Sequence, residues 1–212
     1  VTFSHQSIPA NVLAEIDDFI RVFEDVTTRS TWQQSVIGSS GQSIPASRPE
    51  VCFFSAWDFH VPPEGPWQVI EFNDNGSGLL YAGLINEVFY TLLDPAQQVA
   101  LEAPLPVVDL GRRVKQMVRR EAKAFFGEVP DGLFLILDEP EALERGKFGG
   151  EMGMLRALFR EEGWVSEVGS TADLCWDGER LQYDGKSVSF VVNRSTDFFL
   201  EKEPQPEPQP EP

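Results

Sequence analysis

LFLILDEP (133–140), GEMGMLRALFREEG (150–163) and WVSEV (164–168) follow one another closely and decide the fold. The first is a short apolar run with no polar alternation, ended by Asp-Glu-Pro, which reads as a strand buried on both faces. The second reads as a helix. The third is again strand-like. Strand, helix and strand in this order predict a βαβ unit and place the chain among α/β proteins.

Reading towards the C-terminus, LCWDGERLQYDGKSVSFVVNR (174–194) carries Asp-Gly pairs at 177–178 and 184–185, which signal tight hairpins. EKEPQPEPQPEP (201–212) is low in complexity and cannot bury a core, so a disordered tail is expected, with the fold ending near Leu200. Reading towards the N-terminus, DLGRRVKQMVRREAKAFFG (109–127) is an amphipathic helix. Val114, Met117, Val118, Ala122 and Phe125 are expected inside, and Arg112, Arg113, Lys115, Arg119, Arg120 and Lys123 mostly outside. LLYAGLINEVFYTLL (79–93) is a strongly apolar helix. VCFFSAWDFH (51–60), VPPEG (61–65) and PWQVIEFN (66–73) predict a strand, a turn and a returning strand. SSGQSIPASRP (39–49) is a loop by composition, and ANVLAEIDDFIRVFEDVT (10–27) a further amphipathic helix. The expectation is a mixed α/β chain with a hairpin-bearing region over 1–130, a βαβ unit plus hairpins over 131–200, and a tail over 201–212.

The 212 residues include 34 acids and 17 bases, for a net charge of −17. Such a balance disfavours non-specific nucleic-acid binding, because a polyanion is repelled without a strong basic patch. No apolar run is long enough to span a bilayer, and no membrane partner is expected. VTFSHQSIP lacks the basic start and apolar centre of a secretory signal. Cys52 and Cys175 form no CxxC and read as reduced core residues. The cytoplasm is the expected location.

One stretch carries more chemistry than a turn needs. IEFNDNGSG (70–78) ends a strand with Glu71, Asn73, Asp74 and Asn75 before Gly76, Ser77 and Gly78, and Asp58 lies just upstream in WDFH. Residues two apart on a strand share a face, so Glu71 and Asn73 project together. Pairing across VPPEG in an odd-sum register adds Asp58 to that face, whereas a slip of one residue removes it. Oxygen donors without His or Cys suit a hard cation, magnesium above all when phosphates share it. The Gly-Ser-Gly precedes a helix, whose N-terminal N–H groups attract anions. Turning the chain and capping that helix is the plainer alternative.

Other groups are open to two readings. The basic helix face either meets a phosphorylated substrate or is solvated against an acidic body. Asp138 and Glu139 end a strand where α/β sheets place ligand groups, or serve the helix start at Pro140. Asn193, Arg194 and Asp197 form a substrate-facing cluster or an internal Arg–Asp pair. His60 is an acid–base candidate or a hairpin residue, and His5 reads as part of a loop. No nucleophile constellation is visible.

DFHVPPEGPWQVIEFNDNGSG (58–78), LILDEP (135–140) and VVNRSTDFFLE (191–201) together resemble circularly permuted ATP-grasp proteins. That group includes glutathionylspermidine synthase, eukaryotic-type glutathione synthetase and uncharacterised bacterial members. The resemblance implies that region 131–200 is a pre-ATP-grasp-like, substrate-side domain. It implies ATP-dependent joining of a carboxylate to an amine through an acyl phosphate. It assigns Mg2+ bridging ATP phosphates to Glu71 and Asn73, with Asp58 as a further ligand. Asn75, Gly76, Ser77, Gly78, Asn193 and Arg194 would face phosphate or substrate. Ala56 stands where relatives often carry an arginine. The lysines and phosphate-covering loop of such a site are not found, and GKFGG (146–150) is too short to replace them. The implied protein is the N-terminal part of a ligase, not competent alone, with a separate ATP-binding chain as a possible partner. The alternative is a non-catalytic ligand- or partner-binding α/β module.

Overall fold

The computed structural model describes residues 8–40, 55–73, 76, 78–101 and 103–195. His5, Cys52, Asp74, Asn75, Ser77, Asp197 and the 201–212 tail lie outside them. The described chain divides into two compact units, one of residues 8–40 and Trp57–Phe72, the other of 55–56 and 73–195.

The first unit holds α1 (Ala10–Thr27), α2 (Ser30–Ser40) and a two-stranded sheet of β1 (Ala56–His60) and β2 (Gln68–Asn73). A lone hairpin is marginal in water, and here an aromatic cluster supports it. Phe19 and Phe23 of α1 meet Trp57 edge-on at 5.8 and 4.9 Å between ring centres, and Phe72 lies 4.5 Å from the same indole. Trp67 adds a 5.6 Å contact to Phe19 and donates its Nε1–H to Glu15. Such pairs add about 0.5–1.5 kcal/mol each beyond the area they bury. The helical spacing of Ile16, Phe19 and Phe23 thus gives α1 its packing face.

The second unit contains α3 (Leu79–Thr91), α4 (Pro95–Ala100), α5 (Val107–Phe126), β3 (Leu133–Asp138), α6 (Pro140–Arg145), α7 (Gly149–Glu161), β4 (Val165–Ser170), β5 (Leu174–Trp176), β6 (Leu181–Tyr183) and β7 (Lys186–Asn193). Its sheet runs β4-β3-β7-β6-β5, with β3 parallel to both neighbours and β5, β6 and β7 antiparallel to one another. All of β3 is buried, which explains its unbroken apolar run. Phe134 and Ile136 pack with Leu80, Val114, Val118, Met152, Leu155 and Phe159 from α3, α5 and α7. Leu133, Leu135 and Leu137 pack instead with Leu174, Tyr183 and Val188. Asp184 and Gly185 have φ of 49° and 69°, the left-handed pair that a two-residue hairpin turn demands.

The sequence-based boundary at residue 130 does not coincide with this division. Helix α5 contributes Val114 and Val118 to the core that also receives β3, so the chain passes between units at the end of β2. Phe125, expected inside, is half exposed and meets Phe126 edge-on at the last turn of α5. Cys175 is exposed on the short β5, not a core residue. On α5, Arg112, Arg113, Arg119, Arg120 and Lys123 are exposed, and Lys115 is partly buried. Lys115 Nζ lies 3.2 Å from carboxylates of both Glu161 and Glu162, and Arg119 pairs with Glu162. Burial alone would lower the Lys115 pKa, but hydrogen bonds and charge from Glu162 and Glu161 outweigh it and raise it.

Candidate functional site

Strand alternation settles which side chains share a face of the hairpin. Trp57 and Phe72 pack together beneath α1. Their neighbours Asp58 and Glu71 therefore point to the opposite face, where both are exposed. Asn73, two residues beyond Glu71 and last in β2, alternates to that same side of the strand and is also exposed. His60 shares the face from β1. The donors so placed are two carboxylates and an amide, a set suited to a hard divalent cation. Among the described residues no group of three or more His, Cys, Asp or Glu gathers as a metal site; Asp58 and Glu71 supply two carboxylates.

The second unit presents a different arrangement at the start of α3. Glu151, in the first turn of α7, is buried to 1% exposure and sends its carboxylate to the N-terminus of α3. Gly78 N–H donates to its Oε2 at 2.8 Å and Leu80 N–H to its Oε1 at 2.7 Å. Arg194, 4% exposed, donates from Nη2 to the same Oε2 at 2.9 Å. One carboxylate thus sits in the positive end of two helices, its own and α3, and receives a guanidinium as well. Arg194 is held independently by its own N–H, which donates to Leu137 O at 2.8 Å. Its guanidinium lies 6.0 Å from the Phe148 ring centre.

A small recess adjoins this cluster, lined by Gly76, Leu79, Leu80, Leu155 and Val192 besides Glu151 and Arg194. It has room for about one water-sized group. The Nε–H of Arg194 is buried without a hydrogen-bond partner among the described residues. Such orphaned donors are uncommon, since burying one costs about 1–3 kcal/mol.

Further groups collect at the carboxyl ends of β3 and β7, where parallel sheets present ligand groups. Asp138 is nearly buried, and burial pushes its pKa up despite a hydrogen bond from Glu139 N–H and the nearby Arg194 charge. Ser195 donates from Oγ to Glu139 at 3.3 Å, and from its backbone N–H to Asn193 Oδ1 at 3.1 Å. Asn193 itself is exposed.

The sequence-derived residues fall into separate places. Asp58, Glu71 and Asn73 belong to the hairpin; Gly76, Gly78 and Arg194 line or border the recess; Asn193 lies at the strand end. Arg194 pairs with Glu151; the Arg–Asp pair of the internal reading involves Asp197, which lies outside the described residues. Glu151 escaped sequence reasoning, although a signal existed: it lies on the same i, i+4, i+8 stripe as Leu155 and Phe159. An acid on an apolar stripe calls for a buried partner. No helix among the described residues is long and apolar enough to cross a membrane. No family model, curated protein or solved structure matches the chain.

Proposed function

We propose that the chain is the N-terminal part of an ATP-dependent carboxylate–amine ligase-like protein, with the hairpin holding Mg2+ that bridges ATP phosphates. The observation that supports this reading is the common face of Asp58 and Glu71, with Asn73 following on the same strand. In the proposed chemistry the metal neutralises phosphate oxygens while a substrate carboxylate is activated as an acyl phosphate and the amine displaces phosphate. Asp58 and Glu71 contribute the anionic donors and Asn73 a neutral one. The nucleotide base and the covering lysines belong to a segment outside this chain, so the substrate pair is turned over only in its presence.

A second reading is a non-catalytic α/β module that binds a small ligand or partner. It is favoured by the occupation of the Gly78 and Leu80 N–H groups and the Arg194 guanidinium by Glu151. Donors that a ligase would present to phosphate are satisfied internally.

Calorimetry of ATP with and without magnesium, on the natural chain and on Glu71→Ala, tests the first reading. Magnesium-dependent heat that disappears in the variant is the expected result. Heat that is unchanged by Glu71→Ala, or that needs no metal, overturns the metal assignment.

A further inference from the structure

We propose that the N-terminal turn of α3, the Arg194 guanidinium and the adjoining recess form a phosphate site that Glu151 keeps filled, as an internal competitor which an external phosphate displaces. The inference rests on the reading of Gly76, Gly78 and Arg194 as ligand-facing, and adds a regulation of that site.

The donor set is that of a phosphate cradle: two backbone N–H groups at the start of a 13-residue helix and one guanidinium. A second, separate observation points to a ligand. Arg194 lines the recess, and its Nε–H is buried with no partner among the described residues. The site therefore offers four donors while Glu151 satisfies three. Glu151 Oε1 accepts from Leu80 and Oε2 from Gly78 and Arg194 Nη2, and neither oxygen bonds Arg194 Nε. A guanidinium binds oxyanions best side-on, through Nε and Nη2 together. A phosphate, with three or more terminal oxygens, can take both of these and the two amides. The recess supplies the volume for the oxygen that Glu151 lacks.

The main chain under the cradle is anchored without Glu151: Arg194 N–H donates to Leu137 O at the end of β3, and Leu80 lies in the core at 1% exposure. Release of the Glu151 side chain frees the two amides and the guanidinium, and binding is weakened in proportion to the population of the closed form.

The test is a titration of the wild-type chain with inorganic phosphate, followed through the Gly78 and Leu80 amide resonances and the Arg194 Nε–H. Saturable shifts are expected, with an apparent Kd at least about tenfold tighter in Glu151→Gln, which removes the competing charge. ATP without magnesium reports whether an ester phosphate reaches the same donors. Silence of these resonances in wild type overturns the proposal, as does an equal Kd in the variant. Should Glu151→Gln fail to fold, Glu151→Asp, whose shorter side chain withdraws the carboxylate, must bind phosphate more tightly than wild type; equal or weaker binding overturns the proposal. Glu71→Ala must leave the shifts intact. In wild type, phosphate shifts without magnesium binding fault only the metal reading, and magnesium binding without phosphate shifts faults only the internal competitor.

Discussion

Removing Glu151 should damage the second unit more than removing Arg194, although the two form one ion pair. Breaking a buried pair from either side costs about 3–5 kcal/mol, because the remaining charge is stranded. In Arg194→Met the stranded carboxylate keeps two backbone donors, at 2.8 and 2.7 Å, so the cost should fall at the lower end, about 3 kcal/mol. In Glu151→Met the guanidinium loses the acid that bonds it and keeps only the nearby charge of Asp138, and the Gly78 and Leu80 N–H groups lose their acceptor together. The buried Leu80 amide alone adds about 1–3 kcal/mol. Glu151→Met should therefore exceed Arg194→Met by about 2 kcal/mol, a large share of the roughly 5–15 kcal/mol that stabilises a domain. Hydrogen exchange of the Leu135 and Ile136 amides, in the fully buried β3, reads the opening of this unit alone. The double variant should cost less than the two singles added together, since the pair is lost only once. Equal costs, or a costlier Arg194→Met, would refute the view that Glu151 serves the helix N-terminus as well as the arginine.

Other expectations follow from the same packing. Gly169 lies beneath Tyr183, and a Cβ there would stand 2.5 Å from the ring and 2.9 Å from a Leu135 methyl; Gly169→Ala should cost about 1–3 kcal/mol in urea unfolding, and a neutral effect would mean the ring moves freely. Phe159→Ala should cost about 3–5 kcal/mol, as its ring is fully buried against Phe134 and Trp164; a loss below about 1 kcal/mol would show that the helix–sheet core refills. The folded-state pKa of Asp138 is raised by burial, so its favourable contribution is present below the ordinary aspartate value and is lost as pH rises through the folded pKa. Asp138→Asn, which keeps an acceptor for the Glu139 N–H, should flatten the pH dependence of the urea midpoint across that window and gain relative stability above it. A variant whose profile parallels wild type would exclude Asp138 as the titrating group.

The core was legible in sequence because its signals are local. The apolar run at 133–137 and the stripe of Met152, Leu155 and Phe159 each announce an element, and the Asp-Gly at 184–185 announces its turn. The hairpin face was legible too, since alternation on a strand is strict once one aromatic residue is placed. The division between units was not. It depends on α5 packing against β3, a contact between elements whose separate patterns do not specify their partners. Glu151 was missed for a related reason: its meaning comes from Gly78, Leu80 and Arg194, all distant in sequence. Cys175 failed as a core residue because β5 is only three residues long and turns that side chain outward. The short helices α4 and α6 begin at Pro95 and Pro140; the start at Pro140 was among the readings of Asp138 and Glu139, whereas the same signal at Pro95 was passed over.

The claim with the most consequence is the divalent cation on the hairpin face. Manganese, a paramagnetic substitute for magnesium, tests it most directly through the broadening of backbone resonances in wild type and in Glu71→Gln. The account predicts selective broadening around Asp58 and from Glu71 to Asn73 at low metal concentration, strengthened by ATP and abolished in the variant. Broadening spread over the acidic surface, or the same pattern with Glu71→Gln, would contradict it.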